Sequence, residues 1–516
     1  MIGQKILCIG NETEQSDLMT TEIATTALSI NHGLISSSTG NPTIAGYYHT
    51  SIADISPGSI VQSLAKNFDQ IIMLDQDVDS YPHFKSFVNT FRLMIELEKQ
   101  QFRTDFRNNK GNKKIVYWHN LLFSNKSICV YPFIGLNNDY GSVNLCQKNG
   151  TPLTKLDAIT DWKTAPGFTP IRNNMLNGVQ MPEHCQICYE REESNGESAR
   201  QFESLEWLVR LKLNSLEDLK EITHPVYIEV RPNNKCNIMC RMCSDQFSHL
   251  IERENKKFGF PMISNDWSSS AIISNEPRVM QGTVPYEKIN FDTLERVHWT
   301  GGEPTVQPEF YAFLKKCINE KHTSFDFSIG TNGLKISDTL LDLLDEFPKM
   351  TFSVSFDGYE KINDYIRWGS NFDKIKKNCY RILERGHVLA FQTVFSMYNA
   401  TRIHEVYQFY DRDFPAQNVL VQPAGMLNEY LGPWHNPLRE QVLESMYKCV
   451  ETKVYYNSGR NTNNLVNEVI DRYKNCDYDP VVLKQFFTYN DNLDRARNSK
   501  LGDYIPELEQ ARKYCQ

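Results

Sequence analysis

The chain has 516 residues, 40% of them hydrophobic, with 55 Lys and Arg against 63 Asp and Glu and a net charge of −8. This length exceeds what one hydrophobic core serves and predicts about three domains, while the acidic balance offers no general basic field for nucleic acid. No apolar run approaches the ~18 residues that cross a bilayer and no charged-then-apolar leader opens the sequence, so the expected location is cytoplasmic, without a membrane partner.

Residues 1–100 read as a small α/β domain. KILCIG and DQIIMLD have the look of buried strands, and Leu18 to Leu28 and Gly58 to Asn67 of helices. GNETEQSD, after the first strand, reads as a helix-capping turn or an anion-holding loop. The basic stretch Arg107 to Lys114 reads as a solvated linker.

Thirteen cysteines are many where disulfides are rare, and they point to metal or catalysis. Four fall between 119 and 200. Cys129, Gly141 and Cys146 form C-x11-G-x4-C, and Cys185 with Cys188 forms C-x2-C. A glycine-containing hairpin would set one ligand pair and the close pair the other, for an iron-sulfur cluster or for a structural zinc. From Phe202, FESLEWLVRLKLNSLEDLKEI is amphipathic at helical spacing and reads as the linker to the core domain.

Between 224 and 430, strand-like PVYIEV, RVHWT, FDFSIG, TFSVSF, LAFQTVF and NVLVQP alternate with helical FYAFLKKCINE, DTLLDLLDEF, FDKIKKNCYRILERG and IHEVYQFYDR. That alternation predicts an α/β fold of parallel βαβ units. Directly behind the first strand, Cys236, Cys240 and Cys243 stand at C-x3-C-x2-C spacing. Iron-sulfur clusters are normally held by four thiolates, so a compact triplet leaves one iron open for a substrate or cofactor. Zinc is the other reading, yet His224 and His249 repeat no zinc-finger spacing. The stretch 244–295, rich in Ser, Asn and aromatics, is long for a connection and reads as a substrate lid or a mobile surface excursion. Residues 431–516 read as a helical C-terminal segment in which Cys449, Cys476 and Cys515 lack cluster spacing. With Cys8, Cys317 and Cys379 they read as small buried hydrophobes or inert thiols.

The cysteine triplet, followed in order by Gly301, Gly302, Glu303 and Pro304, by Thr331 to Gly333, by Ser355 to Gly358 and by Arg367, resembles the radical S-adenosylmethionine (radical SAM) superfamily. The resemblance implies a partial (β/α)6 TIM-type barrel, with these motifs and QPAG at Gln422 to Gly425 on the C-terminal strand ends where barrel enzymes place their chemistry. It implies a 4Fe-4S cluster on Cys236, Cys240 and Cys243 whose open iron takes S-adenosyl-L-methionine, cleaved by one electron to methionine and a 5′-deoxyadenosyl radical. Gly301, Gly302, Glu303, Ser355, Asp357 and Arg367 are then the expected cofactor contacts, with Thr331 to Gly333 read as a tight turn and a solvated helix position as the alternative for Arg367. Met242 stands where the family usually has an aromatic residue.

The cysteines between 119 and 200, with Trp162, Arg172, Gly178, Pro182, Glu193, Gly196, Ser198 and Arg200, resemble the twitch form of the SPASM auxiliary module, here preceding the core. That resemblance implies a second, auxiliary 4Fe-4S cluster on Cys129, Cys146, Cys185 and Cys188, and a peptide, protein or small-molecule substrate. The expected reductant is a flavodoxin or ferredoxin. The competing reading is a non-catalytic iron-sulfur redox relay or scaffold.

Overall fold

Five strands open the computed structural model: β1 (Lys5–Ile9), β2 (Ala24–Ser29), β3 (Leu34–Ser38), β4 (Ile44–His49) and β5 (Gln70–Met73). Besides these it describes residues 117–118, 121–147, 149–193, 198–260, 284–348, 350–415, 418–423, 429–452, 470, 473–474 and 477–515. β1 runs parallel to β2 and β5, and β2, β3 and β4 form an antiparallel meander. β1 and β5 coincide with KILCIG and DQIIMLD. The expected helix over Leu18 to Leu28 gives way to β2 from Ala24 onward, where Thr25 and Thr26 favour extended backbone. GNETEQSD, Gly58 to Asn67 and Arg107 to Lys114 lie outside the described residues.

The chain divides into two units, Met1–Phe133 with Pro170–Glu221 and Ile134–Thr169 with Ile222–Gln516. In the first, helix Ala199–Arg210 opens with a capping box in which the side chains of Ser198 and Gln201 each accept the other's backbone N–H. The helix buries Leu205, Trp207 and Leu208. The stretch expected as a linker is therefore core in this unit.

The second unit carries a nine-stranded sheet in the order β16-β15-β13-β12-β11-β9-β6-β7-β8. Its strands are β6 (Gly135–Asp139), β7 (Ser142–Cys146), β8 (Asn149–Lys155), β9 (Tyr227–Arg231), β11 (Arg296–Trp299), β12 (Asp326–Thr331), β13 (Met350–Ser355), β15 (Val388–Phe395) and β16 (Asn418–Pro423). A separate two-residue ladder pairs β10 (Met239–Cys240) with β14 (Arg367–Trp368). From β9 to β16 the sheet strands are parallel and adjacent in chain order, as the alternation of strand and helix patterns predicts. The fold is mixed α/β with a large parallel sheet.

The cysteine-rich segment 119–200 is not one body. Its middle joins the second unit, where β6 pairs in parallel with β9 and covers what would be an exposed strand edge. β6 and β7 then form a hairpin around Tyr140 and Gly141, whose φ values of 53° and 85° give the two-residue turn that suits strand twist.

The two faces of the large sheet differ sharply. Val297, Trp299, Phe327, Ile329, Phe352, Val354 and Phe391 are fully buried, and Trp299 and Phe391 pack on Phe310 and Tyr410 of helices Pro308–Asn319 and Ile403–Asp413 at ring separations of 5.2 and 4.5 Å. The alternate positions, His298, Ser328, Gly330, Ser353, Ser355 and Gln392, are polar or small and half-buried. Parallel strands buried on both faces read as continuous apolar runs; this sheet has one helix-covered face and one hydrophilic face.

Trp299 anchors the covered side, with its indole N–H donating to Gln307 at 2.9 Å. Trp299→Ala is expected to cost about 3–5 kcal/mol, whereas Tyr447→Ala, at a position 47% exposed, should stay within about 0.5 kcal/mol. Thermal unfolding of the two variants against the parent checks this.

Candidate active site

The loop after β9 is held by its own side chains. Asn233 Oδ1 accepts the Lys235 N–H at 3.0 Å, Asn234 Nδ2 donates to the Asp245 carbonyl at 3.1 Å, and the Cys236 N–H donates to His249 Nδ1 at 3.2 Å. His249 is thereby committed to the loop backbone. Cys240 lies opposite Arg367 in the β10–β14 ladder. Arg367, for which a solvated helix position was the alternative, is buried and bonds Asp357 Oδ2 at 2.6 Å through Nη1. Asp357 is fully buried and its other oxygen accepts the Val394 N–H at 2.7 Å.

Burial raises all three thiols. Cys236 is pushed up to about 12, first by burial, then by Cys240 and Glu303. Cys243 rises by burial, then by Cys240 and Cys236; Cys240 rises by burial, opposed by Arg367. Cys240 thus raises the pKa of Cys236 and Cys243, and Arg367 opposes the rise at all three. Among the described residues no three His, Cys, Asp or Glu side chains converge at metal-holding distance. The chemistry of the donors fits an iron-sulfur cluster: three thiols share a buried region with a guanidinium whose Nε has no partner.

The second loop locks onto the first. Gly301 and Gly302 have φ of 82° and 52°. A Cβ at Gly302 would stand 2.2 Å from the Lys235 carbonyl oxygen, so only glycine permits this approach. The Glu303 N–H donates to that same carbonyl at 2.7 Å. Glu303 is 1% exposed. Its carboxylate accepts from the Thr305 and Thr331 hydroxyls at 2.7 and 2.6 Å and from the Asn332 N–H at 2.6 Å. Burial raises its pKa, and the Asn332, Thr331 and Thr305 bonds oppose the rise. Asn332 Nδ2 also donates to Asn237 Oδ1 at 2.7 Å, inside the cysteine loop. Thr331 and Asn332 thus do more than turn the chain: they bind the loops after β9, β11 and β12 into one assembly. Sequence reading missed Asn237 and Gln307, which donates to the Gly301 and Asn233 carbonyls at 2.6 and 3.3 Å. The only available signal was polar residues beside the glycines and cysteines.

Ser355 ends β13 on the hydrophilic face, opposite Gln392. Across that face the register aligns Asn144, Asn137, Glu229, His298 and Ser328. His298 Nδ1 and Ser328 Oγ are 2.8 Å apart, and Arg231 lies 3.1 Å from Asp139 and 3.4 Å from Glu229. Burial, with Arg231 and Arg296 adding, pushes the His298 pKa down to about 4, so the ring is neutral near pH 7. Of QPAG, Ala424 and Gly425 lie outside the described residues, as do 261–283 of the long connection; its described part includes helix His249–Phe258.

Cys129, Cys185 and Cys188 belong to the first unit and Cys146, on β7, to the second. Cys185 and Cys188 share a face of helix Pro182–Glu193, one turn apart. Cys129 is buried and receives the Ser204 hydroxyl at 3.8 Å. Arg200 is buried beside it, donating to the Leu122, Asn125 and Ile128 carbonyls and pairing with Glu192. Arg172 similarly donates to the Pro132 carbonyl at 2.7 Å. Both arginines thus organise backbone next to Cys129. Trp162 is buried against Phe168, and Gly196 lies outside the described residues.

Residues 230–410 match the family described as the Radical SAM superfamily. That segment is a radical SAM domain. Among solved structures, it is similar to Streptococcus suis SuiB bound to the precursor peptide SuiA, at 15% identity and a TM-score of 0.27, covering 63% of this chain and 64% of that one. It is also similar to anSMEcpe with bound AdoMet, at 17% identity and a TM-score of 0.30, covering 44% and 59%. The chain therefore spans less than two thirds of the length of these two structures. No curated protein matches the chain. Among the described residues no helix is long and apolar enough to cross a membrane.

Because His298 titrates near 4 when folded and near its usual 6.5 when unfolded, it has no effect above pH 6.5, and below that the unfolded state gains the proton first. Folding stability then falls as pH drops toward 4, by about 2 kcal/mol at pH 5. His298→Gln is expected to remove that loss, measured as the difference in unfolding free energy of the metal-free protein between pH 7 and pH 5.

Proposed function

We propose that Cys236, Cys240 and Cys243 hold a 4Fe-4S cluster and that S-adenosylmethionine occupies the coordination position three thiolates leave open. The observation carrying this reading is the buried Arg367, paired to Asp357 on one nitrogen, free on Nε, and laddered to Cys240. When bound, the cluster supplies the electron that cleaves the sulfonium to methionine and a 5′-deoxyadenosyl radical, which abstracts hydrogen from a substrate. The residues of the chain contribute placement. Arg367 balances the thiolate charge and offers Nε to an acceptor, a task suited to a guanidinium. The backbone of Gly301 and Gly302 meets the methionine end of the cofactor, and Glu303 holds that loop to Asn332. Ser355 and Asp357 belong to the cofactor side of the site, Asp357 acting by fixing Arg367.

The parallel strands β9 to β16 form the partial (β/α)6 barrel of the core, and its hydrophilic face takes the substrate. Polar, half-buried residues such as His298, Ser328 and Gln392 support a polar substrate, which the twitch-like cysteine pattern suggests is a peptide or protein. Cys129, Cys146, Cys185 and Cys188 hold a second 4Fe-4S cluster, fully ligated by protein and so suited to electron transfer or structural order. The enzyme works in the cytoplasm with a reductant of the flavodoxin or ferredoxin kind.

Anaerobically reconstituted protein given S-adenosylmethionine and dithionite should release 5′-deoxyadenosine. Cys240→Ala should abolish that release, and Cys188→Ala should lose auxiliary iron while retaining some uncoupled cleavage. Cleavage at the parent rate by both variants contradicts these roles, and an iron-loaded parent that makes no 5′-deoxyadenosine is a relay instead.

A further inference from the structure

Arg241 stands between Cys240 and Met242 with its side chain 0% exposed. It points away from solvent into the C-terminal segment. Nε donates to the Tyr365 carbonyl at 2.9 Å, Nη1 to Asn490 Oδ1 at 2.9 Å, and Nη2 to Asp494 Oδ1 at 2.6 Å and Ser499 Oγ at 2.9 Å. The guanidinium lies 3.6 Å from the Tyr365 ring centroid. Its own backbone is clamped as well, the N–H donating to the Ile366 carbonyl at 2.8 Å and the carbonyl accepting the Tyr489 hydroxyl at 2.7 Å.

Asn490 and Asp494 are one turn apart on helix Pro480–Arg497 and so face the same way. The Tyr365 hydroxyl donates to Asp494 at 3.0 Å, and the Leu501 N–H reaches the other carboxylate oxygen at 2.8 Å. From the end of that helix Arg497 makes a two-pronged pair with Glu254 at 2.9 and 2.7 Å, on helix His249–Phe258 just beyond the cysteines. Met242 packs on the apolar cluster that includes Leu483 and Phe486 of the same helix.

We propose that Asp494 and Asn490 are positioning residues of the radical-generating site. Through Arg241 they set the stretch between Cys240 and Cys243, and through Tyr365 they set the strand carrying Arg367. Helix Pro480–Arg497, far beyond the family match that ends at residue 410, is then part of the site. Stability alone is a poor reason for the arrangement. A buried ion pair adds little over well-packed apolar residues of the same volume, and the four directed bonds of Arg241 fix where its backbone lies. The adjoining positions of this helix, Leu483, Phe486 and Phe487, already supply apolar burial.

The proposal rests on the cysteine triplet as cluster ligands, and it is tested in two ways. In metal-free protein, alkylation of Cys236, Cys240 and Cys243 by iodoacetamide is timed and mapped by mass spectrometry. In reconstituted protein, the electron paramagnetic resonance spectrum of the reduced cluster is compared with and without S-adenosylmethionine. Asp494→Asn should speed alkylation of Cys240 and Cys243 relative to the parent and blunt the spectral change caused by S-adenosylmethionine. Asn490→Ala, which removes one hydrogen bond, should move both readouts the same way by less, and serves if the first variant does not fold. Phe487→Leu, in the same helix but with no polar group to bond Arg241, should lower the melting temperature and move neither. Parent-like alkylation and spectra in Asp494→Asn and Asn490→Ala overturn the proposal, as does an equal effect in Phe487→Leu at matched loss of stability. A parent protein that takes up no cluster would instead sink the ligand assignment, and the alkylation arm would still decide this one.

Discussion

The two-residue ladder between Cys240 and Arg367 is the constraint on which the site depends. It brings a buried cation beside thiols whose pKa burial raises, and so opposes that rise, and it does so by backbone pairing rather than by a flexible side-chain reach. Arg367 stays in place because Asp357 takes one of its nitrogens, and Asp357 stays in place because β15 donates an N–H to it. The chain of support runs from sheet to carboxylate to guanidinium to thiol. Asp357 and Arg367 are both buried, so their pairing acts in a medium that screens it weakly.

Around this ladder the loops after β9, β11 and β12 behave as one object. Glu303 binds Thr331 and Asn332, Asn332 reaches Asn237, and Gln307 collects carbonyls from the first two loops. A carboxylate so fully engaged serves to hold these loops together. The same reasoning separates the faces of the sheet. Apolar side chains on one side meet helices, and the hydrophilic row from Asn144 to Ser328 leaves the other side fit for a polar ligand.

The strands of the parallel sheet were legible because each carries a short β-rich run, and the cysteines and glycines because their spacing is a chemical demand. What was not legible has physical reasons. β10 and β14 are two residues each, too short for any periodic signal. The joining of β6 to β9 depends on an edge that only the folded sheet defines. Ala24–Ser29 contains residues compatible with either state, and pairing with β1 and β3 decided it. Arg241 carries no signal in the sequence, since its partners Asn490 and Asp494 stand at separations of 249 and 253.

The cysteine quartet proposed for a second cluster shows the limit of spacing as an argument: its members fall in two units of the chain, although the pattern reads as a single module. The triplet lies within one unit, on one loop beside Arg367. The most direct measurement is electron-nuclear double resonance on the reduced, cluster-loaded protein given S-adenosylmethionine labelled in its carboxylate oxygen and amino nitrogen. Hyperfine coupling from both labelled atoms to the cluster is the predicted result. A loaded cluster that couples to neither would contradict the account.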